Sequence, residues 1–455
     1  MRTQRGICSS SASEKVQKGE RSVMMKAYLR SMLPAVLAFA FSGVYAIVDG
    51  FFVGQYVGDS GLAGINIAYP MTALLQAVGT GIGMGGSIHM SICLGRGEEE
   101  ERQHYLGTTL LMLVLSSAVL LVGLWLTHPF LLRLFGASGA VYDCGLDYIQ
   151  VIILGAFFQV FSTGLAPVFR NLNRSLFAMC AMMAGFCTNI VLDAMMIGVL
   201  KWGMFGAGLA TIIGQGVTAL LCLGVLIVTE RHIPRAQLRP QMWAVGRILA
   251  TGLSPFGLTM SPNLVIMFVN LGAVHYGGAL AVAAYAVVSY VAVVIQLILQ
   301  GVGDGSQPTM SRYLGEGRTR DVHFICKVAY GIALGAAVIF AALTVVGKHW
   351  FPVLFGASAD ASEMVADVLC IIAVGYLGIA VIRVTIAYFY STGYNTYAYI
   401  LVYGEPVLIV LLLLVLPLGW GLAGVWAAIP LEQLLMAVLA LFLRRLAHRR
   451  PLPNP

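Results

Sequence analysis

The chain has 455 residues, of which 59% are hydrophobic and only 10% are charged, and its mean hydropathy is +0.86. Soluble proteins carry about 25% charged residues, so this composition excludes a large water-exposed globule. The formal net charge of +7 would suit nucleic-acid binding, but too little polar surface remains for an ordinary soluble binder. The eight cysteines form no CxxC pair, so nothing indicates a zinc site or a disulfide framework. We therefore expect an all-α polytopic membrane protein that contacts lipid and binds no nucleic acid.

Twelve apolar stretches follow one another along the chain, each long enough to cross a bilayer core of about 30 Å. The second and eighth are longer than needed and contain glycine runs, which predicts kinks or loops at their inner ends. Residues 1–25 are polar and basic and show no cleavage-site pattern, so they predict a disordered cytoplasmic leader rather than a signal peptide. The predicted spans cover residues 31–53, 62–93, 106–126, 146–169, 176–200, 206–229, 248–272, 279–311, 325–347, 366–390, 398–417 and 421–443.

Lysine and arginine are distributed very unevenly between the predicted loops. With the amino terminus inside, 23 of the 27 lie on the inner side, three lie outside, and Arg383 lies within a span. Positively charged loops stay in the cytoplasm. The bias therefore predicts a protein of the plasma (cytoplasmic) membrane with both termini in the cytoplasm and an even number of spans.

An internal repeat divides the chain into two halves. At a constant offset of 220 residues, the motifs in residues 90–97 and 134–138 recur in residues 310–317 and 354–358. Six spans in each copy make the two copies parallel, which predicts two pseudo-symmetric six-helix lobes with a cavity between them. The expected domains are a leader (1–25), an N-terminal lobe (26–229), a cytoplasmic linker loop (230–247), a C-terminal lobe (248–445) and a cytoplasmic tail (446–455).

Ionisable groups within spans are expensive and therefore mark candidate functional sites. Asp49 lies late in the first span, and Asn189 and Asp193 share one face of the fifth. At about 1.5 Å of rise per residue, these three side chains and Thr211 reach one level in the outer part of the membrane. Two neighbouring carboxyl groups in a low dielectric can hold a proton, and the same four residues could ligate Na⁺. The alternative is that both acids only contact interfacial water at helix ends.

The second half contains another set of polar groups within predicted spans. Arg383 and Glu405 both fall in the inner half of the membrane, which predicts a buried ion pair, although a gating or substrate-binding role stays open. Asp304 lies among glycines and is expected at a bend. Methionine and aromatic side chains can form an adaptable apolar pocket, although lipid contact and core packing are alternatives. The predicted substrate cavity includes Gln76, Gln296, Arg383, Glu405, Tyr45 and Met260.

Several sequence motifs are absent. The chain has no GxxxxGK[ST] phosphate loop, so ATP does not drive it directly, and it has no HExxH or GxSxG motif. The sequence therefore predicts neither an enzyme nor a bound cofactor, with H⁺ or Na⁺ as the coupling ion.

These features together resemble the multidrug and toxic compound extrusion (MATE) family over about residues 26–445. The segments that carry the resemblance are Leu33-Pro34, Asp49-Gly50-x-Phe52-Val53-Gly54-x-Tyr56-Val57-Gly58, Leu62-Ala63-Gly64, Gly85-Gly86-Ser87, Leu94-Gly95-x-Gly97, Asn189-x-x-x-Asp193, Gly206-Ala207-Gly208-Leu209-Ala210-Thr211, Gln307-Pro308 and Gly315-x-Gly317.

The resemblance implies a monomeric two-lobe antiporter that exports organic, often cationic and amphipathic, compounds in exchange for H⁺ or Na⁺ by alternating access. In the DinF/MepA-like branch, the acids of the amino lobe correspond to Asp49 and Asp193, supported by Asn189 and Thr211. The NorM-like branch carries a glutamate in span seven, but residues 255–262 contain none. This difference favours proton coupling through the amino lobe, with sodium kept open.

Other functions remain as alternatives. A flippase of lipid-linked precursors has a similar fold, but it favours a cavity with several buried arginines, whereas Arg383 is the one arginine placed within a span. A sensor would need a soluble output domain, and no loop is long enough for one. A channel suits two lobes with a buried acid site less well than an exchanger does.

Overall fold

A computed structural model describes the backbone of residues 4–230, 239–354 and 359–449. These ranges form helices joined by short turns and contain no strand. The helices are α1 (Gln4–Tyr56), α2 (Asp59–Arg96), α3 (Glu99–Leu134), α4 (Gly139–Leu154), α5 (Ala156–Asn171), α6 (Ser175–Asp193), α7 (Gly203–Thr229), α8 (Met242–Gly315), α9 (Thr319–Val346), α10 (Trp350–Leu354), α11 (Ala359–Ala373), α12 (Tyr376–Ser391), α13 (Asn395–Trp420) and α14 (Leu422–His448).

The helices and the membrane spans do not correspond one to one, because one long helix forms two spans and two bent helix pairs form one span each. The long helix α8 changes direction at Gly278, whose φ of 64° suits glycine, and it thus supplies two spans, α8a (Met242–Gly278) and α8b (Leu280–Gly315). The pair α4 and α5 is bent by 63°, and the pair α11 and α12 by 47°. With each bent pair counted as one span, the described ranges hold twelve spans, as the sequence predicts.

The spans form two lobes, one built from α1–α7 and the other from α8–α14. Each lobe has its own apolar core, and each core includes side chains from the other lobe. Tyr28, near the middle of α1, and Ile88, in the last third of α2, pack into the second core, while Ile248 of α8a packs into the first. This mutual packing lies at the end of the bundle where α2 turns into α3 at Gly97. We call it the Gly97 end, and we call the opposite end the Gly58 end.

The glycine runs in α2 and α8b do not produce the kinks that the sequence predicts. Both helices are continuous, so Asp304 lies inside a helix rather than at a bend. The glycines instead let helices of opposite lobes approach closely. A Cβ atom on Gly85 would collide with the carbonyl oxygen of Ile248, and one on Gly305 would lie 2.9 Å from the Cα atom of Met32. The expectation was wrong because these glycines serve helix–helix packing, as small residues do in membranes.

The amino-terminal segment and the end of the connection between the lobes are helical, where no helix was expected. The backbone is helical from Gln4, where a disordered leader was expected over residues 1–25. No proline interrupts the stretch before Pro34, so α1 can extend toward the terminus. The helix α8 begins at Met242, inside the predicted linker of residues 230–247. Residues 231–238 of that linker, 450–455 of the tail and 355–358 of the repeat motif lie outside the described residues.

Candidate functional site

The polar residues predicted in the amino lobe come together between α1, α6 and α7. They are brought together by the close packing of α6 on α7. The two helices are so close at Gly185 that a Cβ atom there would lie 2.6 Å from the carbonyl oxygen of Gly214. One turn further along α6, the Asn189 amide nitrogen donates to the Thr211 hydroxyl over 3.4 Å. Asp193 follows after four more residues on the same helix face, and Asp49 approaches it from α1.

The two carboxyl groups of this site face each other and have few other partners. Asp193 is fully buried, and Asp49 is half-buried. The side chains are close enough to share a hydrogen bond. Within the described part of the chain, neither carboxyl oxygen of Asp193 nor Oδ1 of Asp49 receives a hydrogen bond from another group. A carboxylate has no proton to donate, so these oxygens become satisfied when one acid is protonated or when a cation or a water molecule binds.

Two tyrosines complete the surroundings of this acid pair. The hydroxyl groups of Tyr45 on α1 and Tyr148 on α4 both approach Thr211 and lie near the two acids. Tyr45, which was predicted to line the substrate cavity, lies beside the acid pair and lines the pocket between α1, α6 and α7. Tyr148 was missed, although its position in the outer half of span four puts it at the same depth as the acids.

The backbone directly after Asp193 is unusual. The regular helix α6 ends there and continues as a six-residue π-helix from Ala194 to Val199. Such segments are rare and occur frequently at functional sites. The π-helix keeps the fifth span helical past the buried acid, which agrees with placing Asp193 inside the span rather than at its end.

A second polar cluster lies in the carboxy lobe, as the sequence predicts in part. Nη1 of Arg383 on α12 lies 3.2 Å from Oε1 of Glu405 on α13, and Nη2 donates to Oε1 of Gln296 on α8b over 3.5 Å. The three residues line a cavity of about 40 Å³, enough for one or two water molecules. Two further polar residues of α14, Glu432 and Gln433, line the same cavity.

Two residues that were predicted for the substrate cavity lie elsewhere, and one acid that lines the carboxy-lobe cavity was not predicted. Gln76 and Met260 line neither this cavity nor the pocket between α1, α6 and α7. Glu432 was missed although it is an ionisable group within the predicted twelfth span, which is the signal that could have found it.

More arginines are buried than the sequence indicated. Besides Arg383, the structure buries Arg102 and Arg170, each with 5% of its surface exposed. Each of the three has an acidic neighbour: Arg102 binds Glu99 and Glu230, and Arg170 lies near Asp304. The additional arginines escaped notice because α3 and α5 extend beyond the apolar stretches, so charges at their ends become covered by neighbouring helices.

Polar contacts between the lobes cluster toward the Gly97 end. The side-chain amides of Asn171 on α5 and Gln307 on α8b donate to each other over 2.9 and 2.8 Å, and both side chains are buried. Nearby, Ser91 donates to the carbonyl oxygen of Pro308 over 3.0 Å. The hydroxyls of Tyr28 and Ser306 lie 2.9 Å apart. These contacts hold the lobes together at this end, below the level of the acid pair.

Comparisons with known proteins agree with this architecture. The family model MatE matches residues 34–195 and 255–418, one segment in each lobe. The multidrug export protein MepA of Staphylococcus haemolyticus (strain JCSC1435) is 24% identical over 435 residues, covering 93% of this chain and 94% of MepA. MepA of Staphylococcus aureus (strain MSSA476) is 24% identical over 438 residues, with coverage of 94% and 95%.

Two solved structures share the fold. One is an outward-facing multidrug resistance MATE family transporter of the MOP superfamily, with a TM-score of 0.87, 22% identity, and coverage of 93% of this chain and 95% of that chain. The other is a MOP superfamily transporter from Pyrococcus furiosus, with a TM-score of 0.88, 22% identity, and coverage of 94% and 97%. The predicted two-lobe fold is therefore confirmed. Because the MatE model matches most of its length and both of its lobes, this chain belongs to the MatE family of multidrug efflux transporters, integral membrane proteins that are not enzymes.

Proposed function

We propose that this chain is a secondary antiporter that exports organic, cationic amphipathic compounds in exchange for protons, with sodium as the second candidate ion. The observation that carries the proposal is the Asp49–Asp193 pair, two acids that face each other between helices and of whose four carboxyl oxygens three have no hydrogen-bond partner among the described residues. A proton on one of them supplies the missing hydrogen bond. The relatives named multidrug export protein support an organic substrate.

Exchange requires that the ion and the substrate favour different states of one bistable element. We infer that this element is the contact between the lobes, which the Asn171–Gln307 pair closes at the Gly97 end. We place the Gly97 end in the cytoplasm, because the loops there carry most of the lysine and arginine residues. In this state the Asp49–Asp193 pair would exchange ions with the outside, and opening of the Gly97 end would load substrate from the cytoplasm or the inner leaflet.

One observation favours sodium as the alternative. Oδ1 of Asn189 is buried and has no hydrogen-bond partner among the described residues. It lies on the same helix face as Asp193 and next to Thr211, so four oxygen-bearing side chains could surround a cation there. A proton needs only the two acids, whereas a sodium ion also needs Asn189 and Thr211.

The experiment that tests the function is ion flux in liposomes that contain the purified protein. A cationic amphipathic dye is loaded, and dye-driven proton flux and sodium flux are recorded separately for the wild type, Asp49→Asn and Asp193→Asn. We expect dye-driven proton flux in the wild type and its loss in both variants. Asp143→Asn is the matched control, because that exposed carboxylate of the same lobe should not affect exchange. Wild-type exchange in Asp193→Asn would overturn the assignment of the site.

The second candidate, a flippase of lipid-linked anionic precursors, is tested by the same liposomes. Such a substrate calls for a cationic cavity, but the three buried arginines each lie beside an acid. We therefore expect no ion flux when a fluorescent lipid pyrophosphate replaces the dye.

A further inference from the structure

The carboxy-lobe cavity contains more negative than positive charge. It is lined by two acids, Glu405 and Glu432, and by one base, Arg383. Arg383 contacts both carboxyl oxygens of Glu405, over 3.2 and 3.5 Å, and so neutralises that residue. Glu432 lies near both of them, has only 4% of its surface exposed, and its Oε1 receives no hydrogen bond within the described ranges.

The internal repeat shows why the two glutamates face each other. Gly185 of α6 corresponds to Glu405 of α13 at the offset of 220 residues. In the last span of each lobe, Trp202-Gly203 aligns with Trp420-Gly421 and Gln215 with Gln433, which is an offset of 218 residues. The π-helix and loop that precede α7 account for the difference of two, because the corresponding turn between α13 and α14 is shorter. At this offset, Gly214 corresponds to Glu432.

In the amino lobe, the backbones of α6 and α7 approach each other closely at Gly185 and Gly214. The carboxy lobe places a glutamate at each of these positions, so the two carboxyl groups meet where α13 and α14 approach. The cavity around them is the counterpart of the amino-lobe pocket, since Tyr45 and Thr211 correspond to Val265 and Ile429, which also line it. The fold therefore builds the same cleft twice; Glu405 and Glu432 line the carboxy-lobe copy, whereas Asp49 and Asp193 lie beside the amino-lobe copy at a different level.

A buried carboxylate with an unpaired oxygen and no cation of its own is costly to keep charged, and in practice it takes up a proton or a cation. A metal cation is disfavoured here, because the guanidinium group of Arg383 lies within the same cluster and the cavity holds only about 40 Å³. A neutral Glu432 leaves one carboxylate and one guanidinium group, so the charges balance. The other titratable group that lines the cavity, Tyr285 of α8b, carries no charge at neutral pH.

We propose that the carboxy lobe contains a second proton-binding site, in which Glu432 holds a proton at neutral pH beside the Arg383–Glu405 ion pair. The site is independent of Asp49 and Asp193 in its structure. Only the role of this site in transport rests on the proposed antiport. In that role the site would bind or release an additional proton when the helices of the carboxy lobe move.

Infrared difference spectroscopy of the full chain in liposomes tests this site directly, through the C=O stretching band of a protonated carboxyl group. The Asp49→Asn/Asp193→Asn background removes the signal of the amino-lobe pair, so the result does not depend on whether that pair couples transport. We expect this background to keep a protonated-carboxyl band at neutral pH that Glu432→Gln abolishes and Glu432→Asp retains. Glu363→Gln, at an exposed carboxylate of the same lobe, is the matched control and should leave the band intact.

A second variant tests the proposal if Glu432→Gln does not insert. Glu405→Gln frees Arg383 to pair with Glu432, which should lose its proton, so this variant should abolish the band as well. Persistence of the band in either variant would overturn the proposal; it would then be assigned to another acid such as Asp304, which lies beside Arg170 and accepts a hydrogen bond from Tyr390 over 2.6 Å. Loss of the band on replacing potassium by sodium at constant pH would overturn it too, because the neutralising charge would then be a metal ion.

Discussion

The amide pair Asn171–Gln307 should control how firmly the lobes close at the Gly97 end. The two side chains come from opposite lobes, are buried, and donate to each other over 2.9 and 2.8 Å. Each is also held by a serine of its own lobe, Ser87 or Ser311, over 3.0 Å. Gln307→Leu keeps the side-chain size, removes both hydrogen bonds of this amide pair, and leaves the side-chain carbonyl group of Asn171 buried without a donor.

The size of the effect follows from the two hydrogen bonds that this substitution removes. Each buried hydrogen bond contributes about 0.5–1.5 kcal/mol net, so the closed state should lose about 1–3 kcal/mol relative to a state in which water reaches Asn171. Because about 1.4 kcal/mol corresponds to a tenfold change in an equilibrium constant, the ratio of closed to open molecules should fall by a factor of about 5 to 150. Transport should then slow, because one state of the cycle is no longer sufficiently populated.

Distances between spin labels measure this equilibrium. Labels at Glu100→Cys and Arg320→Cys lie on exposed positions of opposite lobes at the Gly97 end, in a background whose exposed cysteines at 180 and 187 are changed to serine. We expect Gln307→Leu to add a population at longer distance. Gln150→Leu is the control, since Gln150 contacts only His128 of its own lobe in the described structure. A distance distribution unchanged by Gln307→Leu, with the protein correctly folded, would refute the role of the amide pair.

Three further outcomes are expected. Gly85→Ala should open the Gly97 end and lower thermal stability, since its Cβ atom would collide with a backbone carbonyl of α8a, whereas Gly123→Ala, with open space around it, should change neither spin-label distance nor melting temperature. Thr211→Val should abolish sodium-driven exchange but leave proton-driven exchange within about a factor of three, so equal loss of both would argue against a separate role for the hydroxyl group. Arg383→Leu should lower the free energy of unfolding of the purified protein by about 3–5 kcal/mol, the cost of breaking a buried ion pair, and Glu405→Gln should lower it by less. A larger loss for Glu405→Gln than for Arg383→Leu in denaturant titrations would contradict the charge count of the cavity.

The architecture was predictable from the sequence because it depends on properties of long segments, such as hydrophobicity, charge distribution and internal repetition, rather than on individual contacts. Apolar length set the twelve spans, the excess of lysine and arginine in alternate loops set their expected orientation, and the 220-residue repeat set the two lobes. The proximity of Asp49 to Asp193 was also within reach. Depth along a helix follows from its rise per residue, so acids that lie at one level on neighbouring spans become candidates for contact.

The features that were missed depend on which faces of the helices meet, and spacing along one helix does not contain that information. The glycines of α2 and α8b were interpreted as helix breakers, because a run of glycines has the same appearance whether it bends a helix or admits a neighbour. Glu432 was overlooked for a related reason. Its significance comes from Glu405, 27 positions earlier, and the two are brought together by an alignment of the repeat that shifts by two residues after the π-helix.

The duplicated fold gives both lobes the same cleft but different charge. In the amino lobe, a glycine pair lets α6 and α7 touch, and the acids lie further toward the Gly58 end with no base among their described partners, so this site can lose its proton only if a cation or water replaces it. In the carboxy lobe, glutamates occupy the glycine positions and Arg383 neutralises one of them. Because Arg383 lies on α12 and the two glutamates lie on α13 and α14, a displacement of α12 would change how strongly the second site holds its proton. The symmetry of the scaffold thus permits two acid sites, and the position of one arginine makes only the second depend on the internal movement of its lobe.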